Sequence, residues 1–128
     1  MPALKRMLIV DDEQDLLELL AEHFEGRYEI ETATSGAAAI ERFVHQRPDV
    51  VFLDVNMPGA TGIEVLKLFK QTDPTIPVIM VTANGEIPVA EACLKNGALS
   101  YVPKPFNLVY MDHMAAVAVE QRRDARRR

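Results

Sequence analysis

Short runs of continuous apolar residues alternate with runs in which apolar positions recur every three to four residues, and the alternation repeats along the chain. Residues 7–10 (Met7, Leu8, Ile9, Val10) and 50–53 (Val50, Val51, Phe52, Leu53) read as strands buried on both faces. Residues 76–81 read as another, 28–32 as a weaker alternating strand nearer a sheet edge, and 99–102 as a short last strand. Between them, Leu16, Leu17, Leu20, Ala21 and Phe24 form one helical stripe, and Ile40, Phe43 and Val44 a second. Ile63, Leu66 and Phe69 mark a third helix, Ala90, Cys93 and Leu94 a fourth, and Leu108, Met111, Ala115 and Val119 a fifth. Ser35, Thr61 and Asn107 stand where N-caps belong, Thr61 with Glu64 three residues later, and Asn96-Gly97 stands where the fourth helix must stop.

Five strand–helix units with no room for hairpins predict an α/β fold, a five-stranded parallel sheet doubly wound by helices on both faces. The flavodoxin-like strand order 2-1-3-4-5 is the expected arrangement. The 128 residues suffice for one domain with its own core. Cys93 is the single cysteine, so no internal disulfide forms, which suits a reducing, cytoplasmic compartment. The longest charge-free stretch, residues 74–85, falls well short of the ~20 needed to cross a bilayer, and no signal peptide is visible. Net charge is −5, which opposes a general nucleic-acid surface. That total conceals a basic segment, residues 122–128, with five arginines and one aspartate. Because apolar spacing stops at Val119, the expectation is a domain over residues 1–121 and a frayed basic tail or linker over 122–128, without direct nucleic-acid binding.

In a parallel sheet all strands end at one edge, and ligands bind there where the winding reverses. Asp11, Asp12 and Glu13 follow the first strand, Asp54 ends the third, Thr82 follows the fourth and Lys104 the fifth. With the first and third strands adjacent, ~4.8 Å apart, Asp11, Asp12 and Asp54 must share one pocket, flanked by Thr82 and Lys104. Three carboxylates that close need a compensating cation, and few protein ligands with room for water favour Mg2+. A carboxylate-held metal beside a lysine and a hydroxyl is equipment for phosphoryl transfer, with Asp54 the candidate nucleophile. Taken singly, Asp11 and Asp12 suit helix N-caps and Asp54 a turn; their convergence gives them meaning.

These residues resemble the receiver domain of bacterial two-component response regulators over about residues 5–120. The landmarks are Asp11-Asp12-Glu13, then Leu53-Asp54-Val55-Asn56-Met57-Pro58-Gly59, then Val81-Thr82-Ala83, then Tyr101-Val102-Pro103-Lys104-Pro105-Phe106. The resemblance implies that Asp54 accepts a phosphoryl group from a histidine kinase or phosphotransfer protein. It implies Asp12 as a direct Mg2+ ligand, Asp11 as one acting largely through water, and Asn56 as offering its backbone carbonyl. It further implies that Thr82 and Lys104 contact the phosphoryl group, that Tyr101 is the switch aromatic, and that the Lys104-Pro105 peptide is cis. Such a domain promotes only its own phosphorylation and dephosphorylation and is otherwise not an enzyme. The related winged-helix regulators carry acidic residues just before the switch aromatic; here Leu99 and Ser100 stand there, so a homodimer through the last two helices and fifth strand would be of an apolar kind.

Other readings share parts of this pattern. A flavin- or nucleotide-binding domain needs a glycine- or hydroxyl-rich phosphate loop after the first strand, where Asp11-Asp12-Glu13 stands instead. An aspartyl-phosphate phosphohydrolase of the haloacid-dehalogenase kind places its nucleophile after the first strand, not the third. A receiver-like interaction module independent of phosphorylation usually lacks one of the acidic or lysine positions, all present here.

Overall fold

The computed structural model describes residues 3–57, 59, 61–83 and 87–127. Pro58 of the expected motif and Arg128 of the expected tail lie outside them. Five strands, β1 (Lys5–Val10), β2 (Tyr28–Ala33), β3 (Val50–Asp54), β4 (Val78–Thr82) and β5 (Ser100–Pro103), alternate with five helices. The helices are α1 (Gln14–Phe24), α2 (Gly36–His45), α3 (Gly62–Thr72), α4 (Ile87–Lys95) and α5 (Leu108–Arg126). All strand pairs are parallel in the order β2-β1-β3-β4-β5, the predicted topology.

Successive strand residues point to opposite faces, which divides the core in two. Leu8, Val10, Val51, Leu53, Val78 and Met80 face α2, α3 and α4, where Phe43 and Phe69 stack 4.1 Å apart. Met7, Ile9, Val50, Phe52, Ile79 and Val81 face α1 and α5, packed on Leu17, Leu20, Phe24, Met111 and Ala115. Cys93 is fully buried in the first of these layers. The three expected caps form: Ser35 accepts from the Ala38 N–H, Thr61 from Glu64 and Asn107 from Tyr110. No helix among the described residues is long and apolar enough to cross a membrane.

The C-terminal segment departs from expectation. α5 continues to Arg126, so the boundary placed after residue 121 falls inside a helix. Arg122 is buried, 4% exposed, with its Nη2 3.1 Å from Asp73 Oδ2 and its Nε 3.6 Å from Asp49 Oδ1. Asp49 in turn accepts from the Arg6 N–H at 2.9 Å, so Arg122 ties the end of α5 to β1, to the start of β3 and to the C-cap of α3. An arginine can pack its aliphatic stem where apolar spacing has ended, and this one does.

Removing one member of a buried ion pair strands the other, so Arg122→Ala should cost about 3 kcal/mol in urea denaturation. Burial would raise the Asp73 carboxyl, but the Thr75 hydrogen bond and Arg122 outweigh it and hold it below the ordinary range. A lowered carboxylate stabilises the fold above its unfolded value and loses that contribution as pH falls through the folded one. The cost of Arg122→Ala should therefore be full at neutral pH and shrink in acid; a pH-independent difference would contradict the pairing.

Candidate functional site at the C-terminal edge of the sheet

Each expected side chain is placed by the end of a strand. Asp11 follows β1 and is held by its own N–H, which donates to the Ala33 carbonyl at 3.1 Å. Its Oδ1 accepts from the Glu13 N–H at 2.9 Å, opening α1. Asp54 is the last residue of β3; the following Val55 N–H donates to the Val81 carbonyl at 2.9 Å, and Asp54 Oδ1 accepts from the Asn56 N–H at 3.3 Å. The Lys104 N–H donates to the Thr82 carbonyl at 2.8 Å, which carries the lysine from the end of β5 back over β4. The Lys104-Pro105 peptide is cis, as expected.

The side chains converge. Carboxylate oxygens of Asp11, Asp12 and Asp54 lie within 4.8 Å of one another. Lys104 Nζ sits 2.9 Å from Asp11 Oδ2, 3.7 Å from Asp54 Oδ2 and 3.8 Å from Glu13 Oε1. Asp11, Asp54 and Thr82 are buried, whereas Asp12 is exposed. The Thr82 hydroxyl donates to the Ala83 carbonyl at 3.3 Å. Tyr101, paired with Met80 across β4 and β5, is half-buried against the α2–α3–α4 layer.

Burial pushes the Asp54 carboxyl up to about 6; Asp11 and Asp12 add to the rise, while Lys104 and the Asn56 N–H oppose it. Burial alone would lower the Lys104 ammonium, but the Asp11 hydrogen bond and the Asp54 and Asp11 charges carry it above its ordinary value. One ammonium thus faces two buried carboxylates, and the surplus negative charge is what a divalent cation would neutralise. Three converging carboxylate oxygens, one from an exposed residue that leaves room for water, suit Mg2+.

A carboxylate whose folded pKa is raised destabilises the fold once ionised: the penalty is full above the folded value and vanishes as pH falls below the unfolded one. Without divalent metal, Asp54→Asn should therefore raise stability at neutral pH by on the order of 2 kcal/mol. That gain should fade between pH 6 and 4 in thermal melts. A neutral-pH loss of stability would show that Asp54 is not under this strain.

Gly62, at the start of α3, is part of the site's construction and was not legible as such. Its N–H donates to the Val55 carbonyl at 3.0 Å, and a Cβ there would overlap the Asp54 carbonyl oxygen and lie 2.8 Å from Val55 Cα. Glycine lets α3 press against the backbone that carries Asp54. The available signal was a glycine, a poor helix former, directly after the Thr61 cap.

Comparison with known proteins agrees with this geometry. The family model described as the response regulator receiver domain matches residues 7–116. Among curated relatives, the chain is 36% identical over 126 residues to the nitrogen assimilation regulatory protein NtrX of Azorhizobium caulinodans, covering 94% of this chain and 28% of that one. It is 41% identical over 106 residues to sporulation initiation phosphotransferase F of Bacillus subtilis, covering 81% of this chain and 85% of that one. Among solved structures, NtrX from Brucella abortus superposes with a TM-score of 0.92 at 29% identity, over 97% of this chain and 29% of that one. A response regulator receiver domain protein from Clostridium thermocellum superposes at 0.89 with 28% identity, over 94% and 98%. The chain thus spans under a third of the NtrX relatives and most of the shorter ones. Strand order, the acidic pocket, the lysine turned over it and the matched span agree: this chain belongs to the response regulator receiver domain family.

Proposed function

We propose that Asp54 accepts a phosphoryl group from the phosphohistidine of a sensor kinase or phosphotransfer protein. An Asp54 carboxylate oxygen attacks phosphorus, the phosphorus–nitrogen bond breaks with its electron pair passing to the imidazole, and an aspartyl phosphate forms. The observation that carries this reading is Asp54 itself: a buried carboxylate ending a central strand, with Lys104 Nζ 3.7 Å away and Asp11 and Asp12 beside it. Lys104 would pair with a phosphoryl oxygen. Asp12, Asp54 and the Asn56 backbone carbonyl would hold Mg2+, with Asp11, already committed to Lys104, acting through water. Mg2+ when bound neutralises the charge that an incoming phosphoryl group would otherwise meet.

The new phosphate draws the Thr82 hydroxyl away from the Ala83 carbonyl, and Tyr101 turns into the space Thr82 leaves. This alters the face of α4, β5 and α5, on which Ile87, Val89, Leu94, Val109 and Tyr110 are exposed, an apolar surface suited to a homodimer. The matched family is a signalling family, and the output is this change of surface.

With acetyl phosphate and Mg2+, intact mass should rise by one phosphoryl group, and a chelator should remove the gain. Asp12→Ala should raise the Mg2+ requirement more than Asp11→Ala, followed by calorimetry or NMR since the chain has no tryptophan. An unchanged requirement in both variants would refute the metal site. Amide shifts on phosphorylation should extend through residues 87–110; shifts confined to the pocket would refute the switch.

A further inference from the structure

A second charged cavity lies at the opposite edge of the sheet from Asp54, and nothing in the receiver mechanism uses it. It measures about 240 Å3, and Lys5 from β1 with Arg122, Arg123, Arg126 and Arg127 from the end of α5 surround it, with Asp49 the one carboxylate in its lining. We propose that this cavity binds a compact phosphate-type oxyanion, as the free ion or the end of a small phosphate ester.

Three observations carry the proposal. Arg122 is more than nine-tenths buried; its Nη2 and Nε face Asp73 and Asp49 as ion pairs, Nε at 3.6 Å and beyond hydrogen-bond reach, and its Nη1 has no acceptor among the described residues. Leaving the Nη1 donor unmet costs free energy that an anion seated against Arg122 would recover. Lys5, Arg126 and Arg127 form no ion pair among the described residues, whereas Arg123 pairs with Glu120. Arg122 with Arg126 and Arg123 with Arg127 stand four residues apart, the spacing at which like charges on a helix repel. The helix dipole favours cations at the C-terminus, but it does not explain why a lysine from β1 converges on the same cavity. An oxyanion satisfies the forked guanidinium donors and relieves the repulsion together. The acidic remainder of the chain opposes a long polyanion, so the ligand is small.

The test is an NMR titration of the 128-residue chain without divalent metal, at constant ionic strength, with orthophosphate and in parallel with O-phosphoserine. Saturable amide shifts are expected at Lys5, Asp49 and residues 119–127. The exposed double variant Arg126→Gln/Arg127→Gln should weaken binding by about tenfold or more. Asp54→Asn should leave it unchanged, which separates this cavity from the phosphoacceptor pocket. Tighter saturation by O-phosphoserine assigns the site to an ester, and tighter saturation by orthophosphate assigns it to the free ion. Shifts that never saturate, that chloride reproduces, or that keep the same affinity in the double variant would overturn the proposal.

Discussion

Gly62→Ala is expected to destabilise the domain by about 3 kcal/mol, the upper range for forcing one methyl into a close-packed site. The cause is steric and backbone-directed. The added Cβ meets the Asp54 carbonyl oxygen, Val55 Cα and the Val55 carbonyl oxygen, none of which can rotate away as a side-chain tip can. Either α3 retreats or the end of β3 shifts, and the second displaces Asp54 from Lys104. Gly59 provides the contrast: its φ is +82° with nothing within 4 Å of a Cβ, so Gly59→Ala bears only local backbone strain, about 1 kcal/mol. Urea midpoints for the two variants, with phosphorylation measured on any folded Gly62→Ala protein, check this. Equal midpoints would mean that α3 does not press on the phosphoacceptor strand.

Asp54→Asn is expected to bring phosphoryl uptake from acetyl phosphate to background. The substitution keeps the size of the side chain and removes the nucleophilic oxygen, since a neutral amide does not form an acyl phosphate. No other carboxylate should take its place. Asp11 is equally buried, but its Oδ2 is engaged by Lys104 at 2.9 Å and its Oδ1 by the Glu13 N–H. Asp12 is exposed and not held against a strand end. The same variant should be the more stable protein without metal, so lost labelling could not be attributed to unfolding. Undiminished labelling, read by intact mass, would assign the chemistry to another residue.

The architecture was legible because buried parallel strands read as unbroken apolar runs and the helices between them carry a helical period. The alternation implies a parallel sheet whose strands all end at one edge, and with the flavodoxin-like order adopted for it Asp11, Asp12, Asp54, Thr82 and Lys104 meet there, wherever they lie in the chain. Two features were not legible, for one shared reason. Gly62 matters because two backbones approach, and Arg122 because Asp49 and Asp73 lie near each other in space and not in sequence. An arginine-rich end without apolar spacing reads as a solvated tail until the partners of its first arginine are known. Which helices share a face follows from strand order and right-handed crossovers, and the strand alternation then points Phe52 toward α1 and α5 and Leu53 toward α2 and α3.

The central claim is that Asp54 carries the phosphoryl group, and chemical mapping tests it most directly. Borohydride reduces an aspartyl acyl phosphate to the primary alcohol, converting that residue to homoserine and releasing phosphate. After phosphorylation, reduction and proteolysis, peptide mass spectrometry should find homoserine at position 54 and unmodified aspartate at positions 11 and 12. Homoserine at 11 or 12, or at no position in a chain whose intact mass had risen by one phosphoryl group, would contradict it.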